Sequence, residues 1–81
     1  MRRYTIILDF DAEEGAYAVT VPALPGCFTQ GKTAEEAIER AREAIQGYLE
    51  VLAESGDPIP DDAVDIRFVT VDVPEPAPVA T

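Results

Sequence analysis

The stretch GCFTQGKT, residues 26–33, has the spacing of a phosphate-binding loop, in which glycines, a lysine and a threonine hold the phosphates of a nucleotide. Its intermediate residues, CFTQ, favour a β-strand over a turn that wraps backbone amides around phosphate. No buried parallel strand is predicted to lead into the stretch, and the chain is about half the usual size for a nucleotide-binding sheet. We therefore interpret the stretch as a turn, a short strand and the start of a helix.

A group of carboxylates lies near the first turn of the chain: Asp9, Asp11, Glu13 and Glu14. Together with Asp72 they could meet at one sheet edge and hold magnesium, as carboxylates do in two-metal nucleases. The alternative, which we favour, is a solvated acidic turn. The chain has no histidine, so Cys-His and Ser-His catalysis is excluded. No catalytic, cofactor-binding or metal-binding residue is predicted.

Two small residues are expected to have structural roles. Cys27 is the one cysteine of the chain and has no base to form its thiolate, so it is predicted to fill a small space at the start of a strand. A single cysteine cannot form an intramolecular disulfide, which agrees with a reducing cytoplasm. Gly47 lies inside the predicted helix, where glycine costs about 1 kcal/mol relative to alanine, and it predicts a close packing contact.

The charge of the chain is strongly negative. Its 81 residues include 16 acids and 6 bases, giving a net charge of −10. Such a surface repels the phosphates of nucleic acids, so direct nucleic-acid binding is not expected, and a basic protein is the favoured partner. No apolar run approaches the roughly 18–20 residues of a membrane span. A chain this short builds a small core, so self-association is expected.

Hydrophobic periodicity divides the chain into strands and one amphipathic helix. Strands are predicted at residues 3–10, 17–21, 27–30 and 66–73, and the helix at residues 34–54. The fold class is therefore α+β with the order β-β-β-α-β. A three-stranded antiparallel meander carries one long helix on one face, and a fourth strand runs parallel to the first, in the spatial order 3-2-1-4. Residues 1–73 are predicted to form one domain and residues 74–81 an extended or disordered tail.

Local signals specify how the elements are joined. Pro25 and Gly26 suit the central positions of a type II turn, and Gly31 ends the third strand. Thr33 and Glu36 form a capping box, in which the Thr33 hydroxyl accepts an amide hydrogen bond and the Glu36 side chain reaches back to the start of the helix.

Residues 17–50, YAVTVPALPGCFTQGKTAEEAIERAREAIQGYLE, resemble the N-terminal domain of HicB-type antitoxins. That family combines an aromatic-ended strand, a Pro-x-Leu-Pro-Gly-Cys turn, a helix start with glycine and threonine, and an alanine-rich helix after Glu-Glu-Ala. The positions that carry the resemblance are Pro22, Leu24, Pro25, Gly26, Cys27, Gly31, Thr33, Glu36 and Ala37.

The resemblance implies a partial ribonuclease-H-like fold that forms homodimers or tetramers and blocks HicA, a small basic toxin that cleaves messenger RNA. An acidic domain can cover the basic surface where RNA would lie, and it needs no catalysis of its own to do so. We expect the acidic side chains of residues 9–14 and exposed sheet residues to contact the toxin. The alternatives are an orphan member that only assembles with itself and a metal-dependent nuclease.

The C-terminal end of the sequence departs from the pattern of many family members. Those members carry a C-terminal DNA-binding domain that represses their own operon. This sequence ends in PEPAPVAT, without such a domain. Operator binding by the chain itself is therefore not expected.

Overall fold

The computed structural model describes residues 1–79 and shows a three-stranded antiparallel sheet followed by one helix. Strand β1 spans Ile7–Asp11, β2 spans Ala16–Thr20 and β3 spans Phe28–Gly31, in the order β1-β2-β3 across the sheet. Helix α1 spans Ala34–Ser55. The predicted α+β class, the antiparallel meander and the long helix after it are confirmed. No helix in residues 1–79 has the length and apolarity that a membrane span requires.

Alternation along the strands places one set of side chains under the helix. Leu8 lies opposite Val19 in the pairing of β1 with β2. Both belong to the face that packs on α1, where Val19 is buried with Ala37 and Ala41. Because alanine is small, the helix axis can approach the sheet closely at these two positions.

The connection between β2 and β3 is a compact turn that is tied to the helix. The Cys27 amide donates to the Leu24 carbonyl at 3.0 Å, which places Pro25 and Gly26 at the central positions. Gly26 has a φ of 79°, the left-handed conformation that a type II turn requires at its third residue. The Tyr48 hydroxyl donates to the Pro25 carbonyl at 2.8 Å. The buried residues of this connection form a second core cluster: Val21, Leu24 and Cys27.

Helix α1 begins directly after β3, and the two elements are in close contact. The Thr33 hydroxyl accepts a hydrogen bond from the Glu36 amide at 3.0 Å. The Glu36 carboxylate lies 3.3 Å from Arg40, one turn further along, rather than reaching back to the start of the helix. A Cβ atom at Gly31 would lie 2.4 Å from the backbone nitrogen of Ala37. Only glycine therefore fits at the end of β3.

The close packing contact predicted at Gly47 is wrong. A Cβ atom there would meet nothing within 4 Å. Gly47 instead borders an open groove between α1 and the turn, next to Phe28 and Val51, whose side chains are 74% and 62% exposed. The glycine that sets the distance between helix and sheet is Gly31.

The residues before Ile7, predicted as part of the first strand, contact the chain that returns after the helix. The amide and the hydroxyl of Thr5 donate to the Asp62 carboxylate at 2.9 and 2.7 Å. The Tyr4 hydroxyl donates to the carbonyl of Pro60. These contacts, which we call the return anchor, hold residues 60–62 beside residues 4–5.

The predicted fourth strand is not formed. Residues 57–79 contain no helix or strand. The apolar side chains of residues 66–73 are exposed: Ile66, Phe68, Val69, Val71 and Val73. Their apolarity predicts burial, but a strand also needs a neighbouring edge, and within one copy of the chain residues 66–73 meet none. Ala80 and Thr81, the last residues of the predicted tail, lie outside the described residues.

Gly31→Ala is expected to lower the free energy of unfolding by about 1–3 kcal/mol, since its Cβ would collide with the backbone of Ala37. Gly47→Ala, made in the same helix-sheet unit, is expected to raise it by up to about 1 kcal/mol, because the site is open and alanine favours a helix. Urea unfolding at one fixed protein concentration measures both. A Gly31→Ala chain as stable as the wild type would contradict the close contact.

The pH dependence of unfolding tests the return anchor. The two hydrogen bonds from Thr5, first from its amide and then from its hydroxyl, lower the pKa of the Asp62 carboxyl. The ionised form is thus favoured in the folded state. Its contribution to stability is present above the unfolded-state pKa of about 3.9 and is lost as the pH falls through the lower folded-state pKa.

Asp62→Asn is therefore expected to be less stable than the wild type at pH 7, with the difference shrinking as the pH falls below about 4. Urea midpoints between pH 7 and pH 2 measure the difference. Asp9→Asn is the matched control, because Asp9 is an exposed aspartate whose side chain is outside the hydrogen bonds of the anchor. A difference for Asp62→Asn that stays constant with pH would rule out the charged hydrogen bonds.

Candidate partner-binding surface

The acidic residues predicted to contact a partner lie on one hairpin, and we call them the acidic hairpin: Asp9, Asp11, Glu13 and Glu14. Asp9 and Asp11 belong to β1, and the two glutamates lie in the turn between β1 and β2. All four are exposed. Because Asp9 and Asp11 are two residues apart in a strand, they lie on the same face of the sheet, opposite the face that packs on α1.

Asp11 organises the turn of the acidic hairpin. Its carboxylate accepts hydrogen bonds from the amides of Glu13 at 2.9 Å and Glu14 at 3.3 Å. Its carbonyl accepts one from the amide of Gly15 at 2.8 Å. An aspartate that bonds amides two and three residues further on fixes a turn. The backbone that carries Glu13 and Glu14 is therefore held in one conformation.

The carboxylates of the acidic hairpin form no ion pair in residues 1–79. The ion pairs of this part of the chain involve other acids: Arg2 with Asp61, Arg40 with Glu36, Arg42 with Glu39, and Arg67 with Asp65. Four carboxylates within six residues therefore create a local negative potential that no nearby side chain neutralises. This surface attracts basic groups.

The structure does not bring the carboxylates together as a metal site. Asp72, which the sequence could place beside Asp9 and Asp11, lies in the exposed segment after the helix. In the part of the chain that the structure describes, no group of three or more cysteine, aspartate or glutamate side chains is placed to hold a metal ion. The geometry therefore gives no support to the magnesium-dependent nuclease.

Phe10 is a candidate interface residue that the sequence pattern did not identify. It alternates with Leu8 on the helix face, yet it is 54% exposed. Its ring meets that of Tyr17 edge-on, with centroids 5.0 Å apart and planes at 63°. Exposed aromatic side chains beside charged residues are typical of protein interfaces. The sequence feature that could have indicated its exposure is its position between Asp9 and Asp11, near the end of the strand.

The surroundings of the GCFTQGKT stretch and of Cys27 fit a structural role and not a chemical one. Burial raises the pKa of the Cys27 thiol, which is the opposite of what a nucleophile requires. Residues 28–31 form β3, and Gly31 packs against the backbone of α1. The backbone amides that a phosphate loop would turn towards a nucleotide thus lie in a strand. This geometry does not match a phosphate-binding loop.

A three-stranded meander covered by one helix, with an exposed acidic hairpin, describes a small α+β domain with a charged surface. Residues 4–75 match the family described as HicB_like antitoxin of bacterial toxin-antitoxin system, and the chain belongs to this family. The resemblance found in residues 17–50 is confirmed.

Similar proteins come from archaea and bacteria. A UPF0150 protein of Thermoplasma acidophilum is 53% identical over 60 residues, which cover 74% of this chain and 86% of the relative. Antitoxin HicB 1 of Photorhabdus laumondii is 41% identical over 58 residues, covering 72% of this chain and 37% of that antitoxin. The crystal structure of the N-terminal domain of Burkholderia pseudomallei antitoxin HicB superposes with a TM-score of 0.59 at 36% identity, covering 83% of this chain and 69% of that one.

Two aspartates of β1 provide a matched test of the hairpin geometry. Asp11→Ala is expected to lower the free energy of unfolding by about 1 kcal/mol, because it removes the acceptor for two turn amides. Asp9→Ala removes the same charge from the same strand and is expected to change stability by less than about 0.5 kcal/mol. Urea unfolding measures both, and equal effects would show that Asp11 does not fix the turn.

Proposed function

We propose that this chain binds a small basic toxin of the HicA type and neutralises it by covering the surface with which the toxin holds RNA. The observation that carries the proposal is the match of residues 4–75 to the HicB-like antitoxin family. The Photorhabdus laumondii relative bears the name antitoxin, which supports the same role here. Inhibition by coverage needs no catalytic group. Since the proposed toxin cleaves messenger RNA, the pair would act in the cytoplasm.

Charge supports the acidic hairpin as the contact surface. The net charge of −10 attracts a basic partner at long range. At short range, uncompensated carboxylates can occupy the positions that RNA phosphates would take on the toxin. Complementary charge of this kind raises association rates towards about 10⁸ M⁻¹ s⁻¹ at low salt and disfavours wrong partners.

The acids of α1 are a less favourable contact surface. Glu36 and Glu39 lie 3.3 and 3.5 Å from Arg40 and Arg42, so part of the negative charge of the helix is already neutralised within the chain. The acidic hairpin has no such pairs in residues 1–79. Phe10 alternates with these aspartates along β1, so its exposed ring lies on the helix face of the sheet and not on the face that carries Asp9 and Asp11.

Self-association without a toxin is the second candidate function. The exposed apolar side chains of residues 66–73 favour it, because a stable monomer rarely leaves such a stretch in water. We also propose that the complete fold is the partial ribonuclease-H-like β-β-β-α-β arrangement, with its fourth strand formed only on association. Self-association and toxin binding are compatible in one protein. An orphan member would self-associate and fail to bind any toxin.

A charge-reversal pair tests the toxin surface. Glu13→Lys with Glu14→Lys is expected to slow association with the toxin by at least about tenfold, because it reverses charge at the proposed contact. Glu50→Lys with Glu54→Lys makes the same change in net charge on the exposed side of α1, and a smaller effect is expected. Surface-based binding kinetics at two salt concentrations measure both. The toxin for these measurements is sought among small basic proteins encoded in the reading frames next to that of this chain.

Two outcomes would contradict the proposal. If both double variants slow association equally, the chain attracts its partner through net charge alone and the acidic hairpin is not the contact. If the wild-type chain neither binds the toxin nor restores growth of cells that express it, the antitoxin function itself is wrong. Unfolding curves of both variants, matched to the wild type, show that the fold is intact.

A further inference from the structure

The face of the sheet opposite α1 is exposed in the described part of the chain, and we call it the open face. Successive side chains of a strand point to opposite faces of the sheet. Val19 is buried under α1, so its neighbours in β2, Ala18 and Thr20, lie on the open face, and both are exposed. The open face therefore has room for a second layer of structure.

The pairing of the three strands arranges the open face in rows of side chains. The first row has one residue from each strand: Ile7, Thr20 and Phe28. The second row lies one step closer to the turn between β1 and β2: Asp9, Ala18 and Gln30. Asp11 continues the series at the end of β1. Two residues of a strand span about 7 Å, which is the distance between successive rows.

The open face changes from apolar to acidic along the strands. In the first row, the Phe28 side chain is 74% exposed and Ile7 is half-buried. Phe28 begins β3 at the edge of the sheet, where it also borders the groove beside α1. Asp9 and Asp11 follow along β1, and their carboxylates form no ion pair in residues 1–79. The face thus has an apolar end and an acidic end, and the acidic end adjoins the hairpin turn.

The shape of the open face fits a helix. Strands add at the edges of a sheet, whereas the faces of a sheet receive helices or a second sheet. The outer strands β1 and β3 lie about 10 Å apart, which matches the diameter of a helix. Ala18 has a shorter side chain than Asp9 and Gln30 on either side of it. The second row is therefore lowest over β2, where a helix that follows the strands would lie.

The charges of the open face specify a basic helix. At about 1.5 Å per residue, a helix that follows the strands passes from one row to the next in four to five residues. An apolar residue against Phe28 would then be followed by bases four and eight residues further on, opposite Asp9 and Asp11. Residues spaced by four lie on one side of a helix. RNA is disfavoured on this face, because its phosphates would meet the same carboxylates.

We propose that the open face receives an amphipathic helix of the toxin, with an apolar side chain against Phe28 and basic side chains against Asp9 and Asp11. This inference rests on the proposed function and adds to it the kind of element that the chain binds and an apolar contact outside the acidic hairpin. Charge alone mainly speeds association, whereas a buried apolar contact slows dissociation.

Two exposed apolar residues that border the same groove provide the test of this contact. Phe28→Ala is expected to raise the dissociation constant for the toxin at least about tenfold, mainly through faster dissociation, because it removes the aromatic contact of the open face. Val51→Ala is the control, since Val51 is 62% exposed on α1 and does not belong to the open face. Surface-based binding kinetics measure both, and unfolding curves matched to the wild type show that the fold is intact.

The results separate the inference from the proposed function. If the wild type binds the toxin and the two substitutions have equal effects, the antitoxin function stands and the open face is not the site of the apolar contact. If the wild type binds no toxin, the proposed function is wrong. The open face is tested in either case with peptides.

A pair of helical peptides probes the open face without the toxin. The first has a leucine followed by lysines four and eight positions later, in a background of alanine and glutamine. The control has the same composition, with lysines two and six positions after the leucine, on the other side of the helix. Amide chemical shifts of the isotope-labelled chain show where each peptide binds. We expect the first peptide to shift residues 7–11, 16–20 and 28–31, and the control to bind at least about tenfold more weakly.

Three results with the peptides would overturn the inference. Equal binding of the two peptides would show attraction by net charge alone. Shifts confined to residues 34–55 would place the peptide on α1. If the residues of the open face shift when the chain is concentrated without peptide, a second copy occupies this face and the helix of a toxin does not.

Discussion

The contact between the end of β3 and the first turn of α1 is the constraint on which the rest of the structure depends. Gly31 leaves room for the backbone at Ala37, and a side chain of any size there would push the helix away. Ala37 and Ala41 then bury Val19 at short range. A helix fixed in this way lies over β3 and β2. It leaves β1 as the least covered strand of the sheet.

The exposure of β1 gives the chain two different surfaces. Phe10 lies beyond the part of the sheet that the helix covers, so its side chain is exposed instead of buried in the core. Its neighbours in the sequence are exposed acids. Along the outer edge of β1, the backbone pairs with no strand of residues 1–79, and the helix above it leaves Ile38 of its apolar stripe partly exposed to solvent. A charged surface for a partner and an unpaired edge for a strand thus have one cause, which is the position of a single helix on a sheet of three strands.

Local sequence signals predicted much of the fold, because they act within a few residues. The turn at Pro25 and Gly26, the start of the helix at Thr33, and the hairpin between β1 and β2 depend on backbone conformations that particular residues favour. The acidic hairpin was predicted as a group because its members lie close together in the sequence. Its Asp11 hydrogen bonds follow from the same local chemistry.

Features that depend on distant residues were predicted less well. Which glycine allows the close contact between helix and sheet, Gly31 or Gly47, depends on where the helix crosses the sheet. The sequence of the helix does not contain that information. The exposure of Phe10 depends on how far the helix extends over the sheet. The fourth strand was predicted from apolarity alone, whereas its position depends on the return anchor, a set of contacts between residues more than fifty positions apart.

Strand β1 connects the two proposed associations. Asp9 and Asp11 belong to β1, and its outer edge is the edge at which the proposed fourth strand would add. A strand added there would lie directly beside the acidic hairpin, and residues 66–73 would bring one acid, Asp72, and one base, Arg67. If that strand came from a second copy, the surface beside the acidic hairpin would include residues of both copies. Association of the chain with itself and with a basic partner would therefore meet at one strand, so a substitution that displaces β1 would weaken both.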